Sequence, residues 1–402
     1  MEERKLWCVS DINYREEIVS QRTPVSDVVL TDCTLRESEQ QVDANFHPAQ
    51  KVEIALLMEE MGFKELEIGY PAVSEENTEA ARQIVKNLKN PATRTRVVCR
   101  GLEKDIDLAC DIGVWGVSVS LGGSDLTRIH RLKWSRERVV DTAMRMCEYA
   151  KKKGRYVILS SFDTTRTDLD FLGTILDLVV KEGTVDCVRL VDSMGTAMPA
   201  AISWLTRFMR SHLGKIPVEI HCHNDFGLAT ANTLAALDAG CARLTSTVNG
   251  FGERVGNAPT EEVLMALRVF YGLDLGIDLT RICELSKLVC DITGLKVATN
   301  KPIVGENAFR HESGMVVTGL RTEPFSGEAF APEMIGRQRQ IMIGKGSGRT
   351  SIEWNLEMLG ITNPDSNAVA EIVKLCKEKA IDVNRCLTKE EFRAIVDAVI
   401  PQ

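Results

Sequence analysis

Two histidines stand two residues apart in His221-Cys222-His223-Asn224-Asp225. On a β-strand that spacing sends both imidazoles to the same face, so together they can hold one divalent metal. The set wants an oxygen donor from another strand end. Glu37, in Thr34-Leu35-Arg36-Glu37-Ser38-Glu39-Gln40, is the candidate. Two imidazoles and a carboxylate leave positions open for a bidentate substrate and suit Mg, Mn, Zn or Fe. Arg36 beside that ligand would neutralise an enolate or alkoxide as charge develops. A third stretch, Asn249-Gly250-Phe251-Gly252-Glu253-Arg254-Val255-Gly256-Asn257, offers Asn257 to close the shell directly or through water. The bland readings are a hydrogen-bonded core pair for the histidines and a solvated ion pair for Arg36–Glu37, the latter worth almost nothing.

Elements must bring these segments together. Between about residues 27 and 270, eight short runs alternate with helix-period stretches such as Ala49–Met61, Glu137–Lys152 and Ala229–Ala239. The runs are Val28–Leu30, Glu65–Ile68, Arg96–Val98, Gly116–Ser120, Tyr156–Leu159, Val188–Val191, Val218–Ile220 and Leu244–Val248. Eight βα units in this span predict a TIM (β/α)8 barrel, whose usual length is ~250 residues and whose sites lie at the C-terminal ends of the strands. A doubly wound sheet is the rival, but the turn after the first strand has no glycine fingerprint. The expected layout is an N-terminal arm over 1–26 and the barrel over 27–272. A linker or lid subdomain over 273–327 and a small α-rich C-terminal subdomain over 328–402 complete it. The stretch 294–327, rich in Gly, Pro and Asn, reads as irregular. Ser351–Leu359, Asn367–Lys379 and Lys389–Val399 read as helices, with starts at Asp365-Ser366 and at Thr388.

Composition narrows the partners. The chain has 402 residues and a net charge of −8, which with no basic run argues against nucleic acid. No window of about 18 apolar residues suggests a membrane span, and the N-terminus has no signal-peptide pattern. The 12 cysteines show no C-x-x-C spacing, so they read as packing residues in a reducing, cytoplasmic setting.

Three motifs in the same order then point to a family. They are Thr34-Leu35-Arg36-Glu37-x-Glu39-Gln40, the His221–Asn232 stretch and Gly250-x-Gly252-Glu253-Arg254-x-Gly256-Asn257. The chain resembles the DRE-TIM metallolyases, within them the homocitrate synthase and 2-isopropylmalate synthase group, and is most similar in length to the short homocitrate synthases. The resemblance implies a divalent metal (Mg, Mn, Zn, Co or Fe) held by Glu37, His221 and His223, with Asn257 in or near the shell. It implies that Arg36 polarises the 2-oxo group of a keto acid and that the Ser193 hydroxyl binds its carboxylate. It places Tyr70 by the keto-acid side-chain pocket. It implies acyl-CoA as co-substrate and a homodimer whose linker, carrying the motif at Asn307–Gly319, reaches over the partner's active site. Strand alternation separately points Arg100 toward the mouth, where it would meet a distal carboxylate, phosphonate or sulfonate or else a neighbouring acidic loop.

The resemblance also exposes departures. Phe162 stands where the family has a catalytic Glu, Val316 where it has a His, and Gly346 where a further His is usual. A phenylalanine and a valine cannot take a proton. Asp163, His130 and His311 are the nearest candidates for a base, and Asp163 and His311 are taken as catalytic together with Arg36. Two enzymatic readings result. One is a metal-dependent condensation of acetyl-CoA or another acyl-CoA with a 2-oxo acid. The other is a metal-dependent retro-aldol or retro-Claisen lyase, favoured by the missing pair. A metabolite-binding barrel without catalysis is the weaker third reading, because every metal ligand is present.

Overall fold

The computed structural model describes residues 6–400. Among the described residues two compact units are present, Asp11–Lys296 and residues 6–10 with 297–400. The division thus falls after Lys296 rather than at 272, and the helix Ile282–Thr293 belongs with the first unit.

The first unit is a closed parallel barrel of β1 (Val29–Asp32), β2 (Glu65–Glu67), β3 (Arg94–Cys99), β4 (Gly116–Gly122), β5 (Tyr156–Phe162), β6 (Cys187–Asp192), β7 (Val218–Cys222) and β8 (Arg243–Ser246), in sequential order. Eight strands are therefore present in the expected order. Several run further toward their C-terminal ends than the apolar runs suggested, because polar residues continue the ladders. Strand eight is the opposite case: it ends at Ser246, and Val248–Gly250 is a 3-10 turn with Asn249 at φ 61°.

The register decides which residues look inward, since partners across a parallel ladder share a face. The rows Thr31↔Glu65, Glu67↔Arg96, Ile158↔Cys187, Ser160↔Arg189, Arg189↔Glu219 and Glu219↔Arg243 run around the barrel. The inward face is consequently charged and polar. Leu30, Leu66, Val97, Val119, Leu159, Leu190 and Ile220 occupy the alternate positions, facing the helices, and are buried. Barrels of this type usually fill the interior with branched apolar side chains; here arginine and glutamate do so.

The helices that cover those outward residues include α1 (Pro48–Met61), α2 (Arg136–Lys152) and α3 (Thr260–Phe270). Between β4 and α2 lies a π-helical turn, Arg128–Leu132, that ends at Lys133 with φ 57°.

The second unit has its own core of Ile343, Ile352, Leu356, Val369, Ile372, Cys376, Ala380, Leu387, Phe392 and Val396. Its helices begin where expected: the Asp365 carboxylate accepts the amides of Asn367 and Ala368, and Thr388 and Glu391 form a capping box. The 294–327 stretch is not wholly irregular. It contains the helix Gly314–Thr322, whose Val317 and Leu320 bury against Ile341. Tertiary packing overrides the weak helix propensity of its two glycines.

Candidate metal centre

Glu37, His221 and His223 converge, with potential ligand atoms all within 4.8 Å of one another and all three residues buried. Glu37 Oε2 lies 3.6 Å from His221 Nε2, and Oε1 lies 3.5 Å from His223 Nε2. Neither Glu37 oxygen has a hydrogen bond of normal geometry, although Arg36 Nη1 abuts Oε2 as an ion pair. Asn257 Oδ1 is likewise buried without a partner. Orphaned buried acceptors are costly, and a cation among these four residues would satisfy all of them.

The protonation states fit the same ligand. The Thr245 hydroxyl donates to the Ile220 carbonyl (2.9 Å), so its oxygen accepts the His221 Nδ1 proton at 2.8 Å. That leaves Nε2 as a lone pair turned toward Glu37, and the Asn257 amide nitrogen lies 3.3 Å from it. This is how an outer hydroxyl fixes a ligating tautomer. Burial, then His223 and Arg36, hold His221 well below the usual histidine range. Burial, then Arg254 and Arg36, hold His223 at about 3. Both imidazoles are therefore neutral, the form that binds metal. Gly252 is required by close approach here, since a Cβ would strike Asn257 Oδ1 and lie 3.1 Å from Glu37 Cγ.

Arg36 is held by a buried charge network that strand-by-strand reading passed over. Glu67 Oε1 accepts from Arg36 Nε (2.7 Å) and lies 2.6 Å from Nη2. Glu67 Oε2 takes Arg189 Nη2 at 2.5 Å, with Arg96 Nε at 3.3 Å. Glu219 bridges Arg189 Nε (2.5 Å) and Arg96 Nη1 (2.6 Å), and Arg243 pairs with Glu65. Four guanidinium groups thus face Glu37, Glu65, Glu67 and Glu219, and the set is neutral. Burial pushes the Glu67 carboxyl up, but Arg189, Arg36 and Arg96 outweigh it and leave it well below the carboxylate range. Burial acts likewise on Glu219, which Arg189, Arg96 and Arg243 hold at about 2. The signal was present in the period-two placement of Glu65 and Glu67, and of Glu219, His221 and His223. Inward-facing charge at that period cannot be an exposed strand face in a closed barrel.

Ser193 follows β6 with its side chain on the inward face. Its Oγ accepts the Asp163 amide at 2.8 Å, which leaves its own proton to donate. Arg254, at φ 61°, holds this corner by binding Asp225 (2.8 and 2.9 Å) and the Ser193 carbonyl (2.6 Å). Asp163 is fully buried at φ 63°. Its carboxylate is engaged by Arg166 at 2.8 and 2.9 Å and by the Ser124 hydroxyl at 2.5 Å. A carboxylate tied in this way positions the β5 loop rather than accepting a substrate proton. Arg100 takes the acidic-loop alternative, with Nε and Nη2 on Asp105 at 2.8 and 3.0 Å. Tyr70 is half-buried with the Arg100 guanidinium 5.9 Å from its ring, and burial lifts its hydroxyl to about 12. His130 is exposed on the π-turn. His311 belongs to the second unit, where Nε2 meets Glu328 at 3.0 Å and Arg339 clamps the same carboxylate. Cys33, Cys99 and Cys222 are buried, and burial raises all three thiols, Cys33 to about 12.

Fold and side chains together define a (β/α)8 protein with a candidate metal centre beyond the strand ends of β1, β7 and β8. Residues 27–289 match the HMGL-like family and residues 303–384 the homocitrate synthase post-HMGL domain-like family. The chain belongs to the HMGL-like family, in the homocitrate and 2-isopropylmalate synthase group. It is 41% identical over 376 residues to homocitrate synthase AksA of Methanothermobacter thermautotrophicus, covering 92% of this chain and 94% of that one. It is 37% identical over 376 residues to 2-isopropylmalate synthase of Methanocaldococcus jannaschii, covering 93% of this chain and 72% of that one. Hydroxymethylglutaryl-CoA lyase from Pseudomonas aeruginosa shares the fold, with a TM-score of 0.60 at 20% identity over 67% of this chain and 94% of that one.

Proposed function

We propose that this chain catalyses metal-dependent carbon–carbon bond formation between an acyl-CoA and a 2-oxo acid. The observation that carries this reading is a neutral histidine pair facing an unsatisfied Glu37, with Arg36 clamped alongside, in a chain whose relatives, matched over 92% and 93% of its length, are named as synthases. Glu37, His221 and His223 would hold the ion and Asn257 Oδ1 would complete the shell. A bound divalent ion supplies Lewis acidity toward the 2-oxo acid. Arg36 neutralises negative charge growing on the keto oxygen, and it needs no reorganisation because Glu67 already fixes it. The Ser193 hydroxyl donates to the keto-acid carboxylate. Asp163 and Arg254 hold Ser193 in place, and Tyr70 lines the rim. His311 Nε2 meets Glu328 in the second unit.

The test is thiol release from acyl-CoA thioesters with a panel of 2-oxo acids and Mg, Mn, Zn, Co or Fe. Release should need both metal and keto acid and vanish in His221→Ala. Absence of CoA release with every combination overturns the proposal. A homodimer belongs to the same reading, and sedimentation equilibrium at micromolar protein checks it; a monomer throughout would contradict it.

A further inference from the structure

Condensation needs a carbanion, and a carbanion needs either a base or a donor that forms one without a base. Apart from Glu37 of the candidate metal set, these strand-end carboxylates are engaged. Asp32 accepts from the Thr34 amide and the Thr260 hydroxyl, and Glu67 clamps Arg36. Asp163 is held by Arg166 and Ser124, and Asp192 by the Thr165 hydroxyl and the amides of Thr196 and Ala197. Asp225 binds Arg254, and Asp125 binds Arg128 and Arg136. His130 is exposed on its turn, and His311 is engaged by Glu328 in the second unit.

The inward row of β5 runs Ile158, Ser160, Phe162. One row beyond Ser161↔Leu190, Phe162 stands opposite Val191, which pairs with His221. Two strand spacings, about 10 Å, therefore separate its backbone from that of the metal ligand. Over its ring, 4.9 Å from the centroid, sits the Arg131 guanidinium. Arg128 and Arg136 share Asp125; Arg131, by contrast, forms no ion pair among the described residues. The π-turn that presents it is braced by Arg128 Nη1 on the Trp134 carbonyl at 3.0 Å, and such turns recur at functional sites.

We infer, on the condensation reading above, that the acyl donor is a thioester carrying a β-carboxylate, a malonyl-type CoA ester, seated with that carboxylate on Arg131 against the Phe162 face. The bond between the α-carbon and the carboxylate breaks, its electron pair passes into the thioester enolate, and CO2 leaves. The enolate carbon bonds to C2 of the 2-oxo acid. Water hydrolyses the thioester, and its two protons end on the new hydroxyl and on the CoA thiol. No oxidant, reductant or protein base is consumed. Phe162 offers no group that could take a proton from a thioester methyl, so carbanion formation is left to the donor itself. Arg131 stays in water and selects the donor by charge.

The experiment compares malonyl-CoA with acetyl-CoA on the metal-loaded full chain with the 2-oxo acid panel, reading thiol release and trapped CO2. Malonyl-CoA should turn over at least about 100-fold faster, the scale of a missing general base, with one CO2 per thiol. Arg131→Ala should raise the malonyl-CoA KM about tenfold, the value of one charge-assisted hydrogen bond, and Arg131→Lys should recover part of it. Phe162→Glu should shift preference toward acetyl-CoA. Equal rates with the two donors overturn the donor assignment and leave the condensation reading standing. A malonyl-CoA KM unmoved by Arg131→Ala overturns the seat. Thiol release from neither donor removes the condensation reading itself.

Discussion

Glu67 is the joint between the charged barrel interior and Arg36, and Glu67→Gln tests both. The substitution keeps the shape and removes one negative charge from a neutral set, so three arginines lose a shared partner. Guanidinium and carboxylate centres about 4 Å apart attract by about 4 kcal/mol at an effective dielectric near 20. Desolvation offsets most of that in the intact pair, so the measurable effect is set by the positive charge left buried, a loss of about 3–5 kcal/mol. Urea denaturation at pH 7 reads it directly. The sign of the pH dependence comes from the depressed carboxyls of Glu67 and Glu219. Their folded values lie below the unfolded value of about 4.3, so their stabilisation is present above that pH and fades as pH falls through the folded values. Wild type should therefore lose stability below pH 4 more steeply than Glu67→Gln. Pairing the change with Arg189→Gln restores neutrality, and the double variant should be less destabilised than the summed singles by up to about 3 kcal/mol. A loss under about 1 kcal/mol for the single, with additive singles, would refute the network as an electrostatic unit.

Two further outcomes rest on individual contacts. Thr245→Val removes the acceptor that fixes the His221 tautomer and should weaken metal binding about 10–100-fold by calorimetry; an unchanged affinity would mean that Thr245 does not set the ligand form. Burial lifts the Asp32 carboxyl to about 6, above its unfolded value, so its contribution is full below about pH 4 and is lost as pH rises through 6. Asp32→Asn should therefore gain on wild type by up to about 3 kcal/mol between pH 4 and pH 7, and parallel urea profiles across that window would refute the assignment.

The HCH spacing, the Arg36–Glu37 pair and the eight alternating units were legible in the chain because each is a local pattern with a local cause. An i, i+2 pair on a strand shares a face wherever that strand sits. Helix starts at Asp365 and Thr388 were legible for the same reason, since a cap satisfies amides only two or three residues away. Other features depended on residues far apart in sequence. Whether Asp163 was free to act depended on Arg166 and Ser124 closing on it, and whether Arg100 reached a ligand depended on Asp105. The charged interior joins β2, β3, β6, β7 and β8, so Glu67 and Glu219 acquire their partners only when the barrel closes. Phe162 could be read as a residue unable to accept a proton; that its ring carries Arg131 needed the π-turn after β4. Sequence by itself determined which groups could bind a metal and in what order the strands would come. Closure of the barrel decided which of the interior charges cancel, because electrostatic partners are set by distance in space and not by distance along the chain.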